Sequence, residues 1–424
     1  MRVLGIGSRI DLGDLYLALV REGHDVRVHA ADPSYAGCFA GLLDRVPDWR
    51  AELPWVGRDG LVLFEKVGRG AEQDALREDG YHVIGGSRLG DRLEYDRAFG
   101  QGVLRDAGLD VAPSQAFDSP DAAAAWLVRN PGRMVLKHDN NARATFVGDH
   151  RDGVDVLFRL RRTPPGRVLL MPRLDGVEVG VGAYFDGDKF LRPACIDFEH
   201  KRFFPGEIGE MTGEMGTLLS YEGADLLFDA TLGRLAPHFA AAGHVGYVNL
   251  NMIANAGGLW PLEFTCRFGN PGYAILAPLQ RDGWGDLLGR MMRRDSVRFT
   301  TAPGWSVGIV LTVPPFPDEL PGADPDADPP IFFHDPPTGA EQAHYHYADM
   351  RAEGAQLFAR RRTGYAMVVT GTGPTVPRAQ AAARTRARNV IIPNLRWRND
   401  IGDQYLAHDA AQLADLGWLG RAAA

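Results

Sequence analysis

Apolar positions along the chain change between two periods. Residues 3–6 form a short apolar run that stops at Gly7, and Leu15, Leu17, Leu19 and Val20 then recur at helical spacing as far as Glu22-Gly23-His24. Val26-Arg27-Val28, residues 61–64 and residues 80–85 read as a second, third and fourth strand. Strand, helix and strand at this spacing predict a parallel sheet with helices on its faces, as a domain over residues 1–91.

Beyond residue 91 the pattern becomes mixed. A helix is predicted over 92–109, with Leu93, Ala98, Phe99, Val103 and Leu104 on its apolar side. A helix at 122–128 and strands at 134–137 and 168–171 follow. The alternating run 177–185, the turn Asp186-Gly187-Asp188 and the run 191–198 read as a hairpin. A long helix over 226–242 would close at Gly243. Strands at 247–253 and 259–264, joined by Asn255-Ala256-Gly257-Gly258, make a second hairpin. Strands at 307–313 and 365–370 and a helix at 377–389 complete the chain, and the proline- and aspartate-rich stretch 314–337 reads as a surface loop. Arg378, Arg384, Arg386 and Arg388 of that helix read as a solvated face.

Composition narrows the class. At roughly 100–200 residues per domain, 424 residues make two to four domains. A net charge of -8 argues against a general nucleic-acid binder. Cys38, Cys195 and Cys266 suit buried small apolar positions better than a disulfide framework or a zinc site. Met1-Arg2-Val3-Leu4 runs straight into a strand pattern, and no stretch of about 18 apolar residues occurs. The expectation is a cytoplasmic protein with neither leader nor membrane span, acting as a monomer or homodimer.

The densest chemistry lies at Pro261-Leu262-Glu263-Phe264-Thr265-Cys266-Arg267-Phe268-Gly269-Asn270-Pro271. Strand alternation puts Glu263, Thr265 and Arg267 on one side. Oxygen ligands suit magnesium, and an arginine beside them can hold phosphate or carboxylate. Lys137 ends an apolar strand, where it can reach nucleotide phosphates or stand as a solvated strand end. Glu178, after Arg173-Leu174-Asp175-Gly176-Val177, can accept ribose hydroxyls or belong to a simple turn. The basic run His200-Lys201-Arg202 precedes Gly209-Glu210-Met211-Thr212-Gly213-Glu214-Met215-Gly216, read as a glycine-rich loop that lets backbone approach a phosphate.

In this order the motifs resemble the ATP-grasp superfamily, and within it the glycinamide ribonucleotide synthetase (phosphoribosylamine–glycine ligase) family. Arg398-Asn399-Asp400-Ile401-Gly402, the Ile84-Gly85-Gly86-Ser87-Arg88 turn and the helix containing Glu94 and Phe99 extend the likeness over nearly the whole chain. The resemblance implies an α/β fold: an N-terminal parallel-sheet (pre-ATP-grasp) domain over 1–91, a two-lobed ATP-grasp domain over 92–295 with a small lid lobe at about 113–173, and a small C-terminal α+β domain over 296–424. It implies ATP and magnesium, with manganese as a substitute, and small-molecule carboxylate and amine substrates. Lys137 and Arg97 would bind ATP phosphates, Glu178 and Asp175 the nucleoside. Glu263, with Thr265 and Asn251 or Asn249, would ligate magnesium. Arg267, Lys201, Arg202, Thr212 and Gly213 would surround the acyl phosphate.

The chain departs from the family at the amine loop, where Gly7-Ser8-Arg9-Ile10-Asp11-Leu12-Gly13-Asp14 makes Ser8, Arg9 and Asp11 the candidate contacts. The family's Gly-Pro-Glu becomes Phe64-Glu65-Lys66-Val67-Gly68. The small-lobe loop reads Asp139-Asn140-Asn141-Ala142-Arg143-Ala144-Thr145, Met171 and Pro172 stand where glutamates usually meet adenine, and Thr265 replaces an asparagine. Three readings follow: a carboxylate–amine ligase redirected to another amine, a phosphoribosylamine–glycine ligase, or a nucleotide-binding protein without catalysis.

Overall fold

A computed structural model describes residues 1–138, 145–295, 298–320, 322 and 324–420. The small-lobe loop read above lies, from 139 to 144, outside the described residues. The chain divides into two compact units, one of Met1–Asp91, Val179–Asn249 and Thr265–Ala424, the other of Arg92–Glu178 and Leu250–Phe264.

In the larger unit β1 (Arg2–Gly7), β2 (Asp25–Ala30), β3 (Asp44–Arg45), β4 (Leu61–Phe64) and β5 (His82–Ile84) form the expected parallel sheet. Its order is β3-β2-β1-β4-β5. Val3, Leu4, Ile6 and all of Leu61–Phe64 are buried, as continuous apolar runs must be when both faces of a sheet are covered. The helix Gly13–Arg21 follows β1 and buries Leu15, Tyr16 and Leu19 against it.

The smaller unit carries β6 (Gln115–Phe117), β7 (Met134–His138), β8 (Phe146–Val147) and β9 (Val168–Pro172), in the order β6-β9-β7-β8. Every pairing is antiparallel. Helices Pro120–Arg129 and Val154–Leu160 cover it through Ala123, Leu127, Val156 and Leu160. Ser119 caps the first of them, accepting the Ala122 N–H at 3.2 Å.

The remaining strands are β10 (Val177–Phe185), β11 (Cys195–Phe204), β12 (Ile208–Ser220), β13 (Gly246–Asn255), β14 (Gly258–Thr265), β15 (Trp305–Thr312), β16 (Pro330–Phe333), β17 (Tyr345–Tyr347), β18 (Met350–Glu353), β19 (Gln356–Ala359), β20 (Tyr365–Gly373) and β21 (Val390–Ile391). In the larger unit the antiparallel run is β13-β10-β11-β12-β15-β20-β17, and β18-β19-β16-β21 is a separate small sheet. The helix Val376–Asn389 lies on β20, where a Cβ at Gly371 would meet helix backbone at Ala379 and Ala383.

Local structure overturns several expected elements. The helix expected over 92–109 is two helices, Arg88–Tyr95 and Arg97–Asp106, because Asp96 caps the second by accepting the Phe99 N–H at 3.0 Å. The helix expected over 226–242 breaks into Asp225–Ala230, a tight turn at Leu232–Leu235, and Ala236–Ala241. The Thr231 hydroxyl donates back to the Leu227 carbonyl at 2.6 Å, and Pro237 restarts the helix in its first turn. The expected 191–198 strand begins at Cys195, since Pro193 cannot donate to a ladder. The glycine-rich stretch read as a loop is the first half of β12. Part of the 314–337 loop is β16. The arginine helix is not wholly solvated: Arg386 donates to Glu341 at 2.8 and 2.9 Å and to the Thr370 carbonyl at 2.9 Å.

Candidate active site

The smaller unit gathers six of the expected site residues. Glu263 is exposed on β14, and Asn251 is buried on β13. Arg97 opens its helix, with Nη1 4.0 Å from the Met171 sulfur. Burial lowers the Arg97 pKa, and the charge of Glu263 works against that shift. The two side chains therefore lie within electrostatic range, a cation beside a carboxylate. Lys137 is half-buried on β7, in register with Leu169 of β9. Glu178 is exposed on β10. Asp175 is exposed and ion-paired with Arg133, with Arg173 4.0 Å away, and its carbonyl accepts Asn255 Nδ2 at 2.9 Å. Among the described residues no three His, Cys, Asp or Glu side chains gather as a metal cage. A magnesium ion at Glu263 would need nucleotide phosphate oxygens to complete its six-oxygen shell, as nucleotide sites commonly arrange.

The larger unit holds the others. On β11 the alternation Asp197, Glu199, Lys201 puts three charged residues on one face. Lys201 pairs with Glu199 at 3.2 Å, and Asn249 of β13 donates to Asp197 at 2.6 Å. Glu214 of β12 is buried and bonded to the Thr217 hydroxyl. Burial, and after it the charge of Glu199, raises its pKa well above the carboxylate range. Thr212 Oγ1 donates to the Lys201 carbonyl at 2.8 Å, and a Cβ at Gly213 would meet nothing. Gly216 differs: its φ is +152°, and a Cβ there would collide with the Gly308 carbonyl of β15. That glycine serves sheet packing. Thr265 and Arg267 are half-buried at and just beyond the end of β14.

Arg202 belongs to a clamp on the β11–β12 hairpin. It donates to the Gly209 carbonyl at 2.9 Å, while its own carbonyl accepts Arg398 Nη1 at 2.8 Å. The Arg398 side chain is fully buried, forked onto Asp400 with two 2.8 Å bonds and bonded to Glu207 at 2.6 Å. His200 is buried beside it, accepting the Gly402 N–H at 3.2 Å; burial and then Arg398 lower its pKa.

The order of the parallel sheet reverses between β1 and β4, the place where open α/β sheets take ligands beyond the carboxyl ends of their strands. Ser8 is exposed there and its carbonyl accepts the Asp32 N–H at 3.0 Å. Arg9 lies 3.3 Å from Asp11 and 3.1 Å from Glu319, and Lys66 lies 3.0 Å from Asp11. The Asp11 N–H donates to Glu65 Oε2 at 2.7 Å. Glu65 is buried, with Oε1 unpartnered, and Gly7 is obligatory because a Cβ there would collide with Oε2.

No family model matches the chain. It is 28% identical over 351 residues to the phosphoribosylamine–glycine ligase of Nostoc sp., covering 78% of this chain and 80% of that one. It is 28% identical over 403 residues to that of Streptomyces coelicolor, covering 92% and 91%. The crystal structure of the Thermotoga maritima phosphoribosylamine–glycine ligase superposes with a TM-score of 0.72 at 19% identity, covering 95% of this chain and 100% of that one. The chain is an ATP-grasp ligase related to the phosphoribosylamine–glycine ligases. A more distant ATP-grasp likeness is the biotin carboxylase domain of Hydrogenobacter thermophilus 2-oxoglutarate carboxylase, solved with MgADP and bicarbonate (TM-score 0.64, 11% identity, 93% and 91% covered).

Two groups of this ATP-grasp ligase were missed in the sequence. Glu65 was noted only as a departure from a motif, and its burial depends on the β1–β4 neighbourhood. The Asp197-x-Glu199-x-Lys201 spacing did carry a signal, since three charged residues at period two must share a strand face.

Proposed function

We infer that the chain is an ATP-dependent carboxylate–amine ligase that works through an acyl phosphate and releases ADP and phosphate. The observation that carries this reading is that Arg97, at the start of its helix, lies in electrostatic range of Glu263 on β14, in the unit that also holds Lys137 on β7. In this reading Lys137 and Arg97 hold the ATP phosphates, Glu178 and Asp175 meet the nucleoside, and Glu263, Asn251 and Thr265 hold magnesium. The metal supplies charge neutralisation on the phosphates. Arg267, Lys201, Arg202, Thr212 and Gly213 steady the substrate carboxylate while its oxygen takes the γ-phosphoryl group. The amine then attacks the carbonyl carbon, the C–N bond forms, and the C–O bond to phosphate breaks. Catalysis here is mostly positioning and charge stabilisation. Residues 113–173 act as the lid lobe, and the setting is cytoplasmic.

The names of the relatives favour phosphoribosylamine as the amine and glycine as the acid over a redirected pair. A second reading, a different amine, is favoured by one observation: Glu65 occupies the Asp11 N–H in the N-terminal crevice. ADP release from MgATP decides between them. Turnover with glycine and freshly made phosphoribosylamine alone supports the first pair. Turnover only with another acid and amine supports the second, and none with any pair defeats the ligase reading.

A further inference from the structure

The helices of the smaller unit have an outward face that the fold leaves uncovered. Val156 and Leu160 of the helix Val154–Leu160 pack into the core of the lobe. Val154 and Phe158, one turn apart on the opposite side, are turned to solvent, 50% and 58% exposed. Arg162 lies over the Phe158 ring, 3.5 Å from its centroid. The start of this helix sits against the end of Pro120–Arg129, since a Cβ at Gly153 would meet Leu127 at 3.1 Å, and Val128 beside it is exposed. Residues 159–167 carry four arginines and no acid. Arg159, Arg161 and Arg162 are exposed and form no ion pair among the described residues. Asp155, the acid of the helix, is engaged by the N–H groups of Asp149 and His150 at 2.7 and 3.0 Å. Strand alternation puts Leu136, Val168 and Leu170 under the helices, and Val135, Lys137, Leu169 and Met171 on the other face of the sheet. The arginine face is therefore remote from the side that carries Lys137.

The same chain holds a surface of opposite sign. Residues 314–337 contain six carboxylates and neither lysine nor arginine. Asp328 is buried on Arg351 at 2.9 Å, and Glu319 is shared by Arg9 and Arg362. Asp318, Asp324 and Asp326 are exposed without an ion pair among the described residues, in a stretch whose Leu320 is 42% exposed. The Leu320 N–H donates to the Arg362 carbonyl at 2.9 Å and the Arg361 N–H to Asp328 at 2.8 Å, so the stretch is held along the edge of the small sheet.

We propose that the Phe158 and arginine face docks Asp318, Leu320 and Asp326 of a second copy of this chain. The two surfaces differ, so each contact is head to tail, and it closes without further growth when made twice about a twofold axis. Phe158 and Leu320 supply the apolar contact, while the arginines and aspartates set register and partner. A polyanion would meet the arginines but would leave the unpaired carboxylates and Leu320 unanswered.

The test is sedimentation equilibrium of the full chain over a concentration series. A dimer is expected, weakened ten-fold or more when NaCl is raised from about 0.05 M to about 0.5 M, since salt screens exposed charges. Arg159→Glu with Arg161→Glu should weaken it about 100-fold, and so should Asp318→Lys with Asp326→Lys. Mixed in equal amounts, the two reversed chains should dimerise as tightly as wild type, because both contacts again pair opposite charges. Phe158→Ser should weaken the dimer about ten-fold, as loss of an apolar anchor does. All five side chains are exposed, so melting temperatures and MgATP binding should be unchanged. A chain that stays monomeric, a dimer indifferent to both reversals, or reversed chains that fail to recover on mixing each overturns the proposal. Capture of a single-stranded oligonucleotide by a monomeric chain overturns it as well.

Discussion

In the smaller unit the charged residues of interest lie toward the surface at strand ends and helix starts: Glu263 and Glu178 exposed, Lys137 half-buried, Arg97 in electrostatic range of Glu263. In the N-terminal crevice of the larger unit they are crowded, partly or, for Glu65, fully buried, and already bonded to one another. Dispersed charges suit a multiply charged ligand that brings its own counter-ions, as a magnesium-bound nucleotide does. The difference teaches that one chain can keep accessible charges in one unit and mutually bonded, desolvated ones in the other, because burial is set by the packing around each.

The largest expected effect tests whether the charged hairpin of the larger unit is architecture. Arg398→Ala removes a fully buried side chain and its hydrogen bonds to Asp400, Glu207 and the Arg202 carbonyl, and should cost about 3–5 kcal/mol, at about 1.5–3 kcal/mol for each charged contact. Denaturant unfolding of the variant reads this, and an unchanged midpoint would remove the clamp. Next, Glu263→Ala should lower ADP release by about 10²–10³-fold, the size of losing one preorganised charge contact, with the melting temperature kept. Undiminished turnover would sink the metal assignment. Arg97→Ala should be milder, weakening MgATP by about ten-fold, near the 1.4 kcal/mol of one charge-assisted contact. Equal affinity in equilibrium nucleotide binding would leave Glu263 without a phosphate neighbour.

A separate test is in pH. The Glu65 pKa rises from 4.5 to about 8 on folding, so the folded chain holds that proton more tightly. Its stabilisation is fully present below about pH 4.5 and is lost as pH rises through 8. Glu65→Gln cannot lose it, so the melting advantage of the variant over wild type should grow from pH 5 to pH 9. His244, buried against the Ser87 hydroxyl at 2.9 Å, has the opposite sign. Its pKa falls from 6.5 to about 3 through burial and then Arg77. Its contribution is present above pH 6.5 and lost as pH falls toward 3. His244→Gln should therefore flatten the acid limb of the melting curve while the Glu65 variant flattens the alkaline limb.

Local pattern alone was enough for the parallel sheet, the 177–185 and 247–264 hairpins, the helix ending at Asn389 and the three buried cysteines. Period and burial are nearest-neighbour properties, so they are written in the chain. The placement of Glu263, Thr265 and Arg267 at a strand end followed from alternation in the same way. Tertiary structure decided the rest. The helix breaks at Asp96 and Thr231 arise from single side-chain bonds that compete with the helical ladder. Gly209–Gly216 is a strand because β11 pairs along it and β15 joins at Gly216, which composition does not reveal. Asp14 meets His346 of β17, and Glu65 meets the Asp11 N–H, only because the fold brings together segments far apart in the chain, a proximity that depends on the sheet orders. Desolvation then sets their chemistry, and burial depends on the whole unit rather than on any neighbour in sequence.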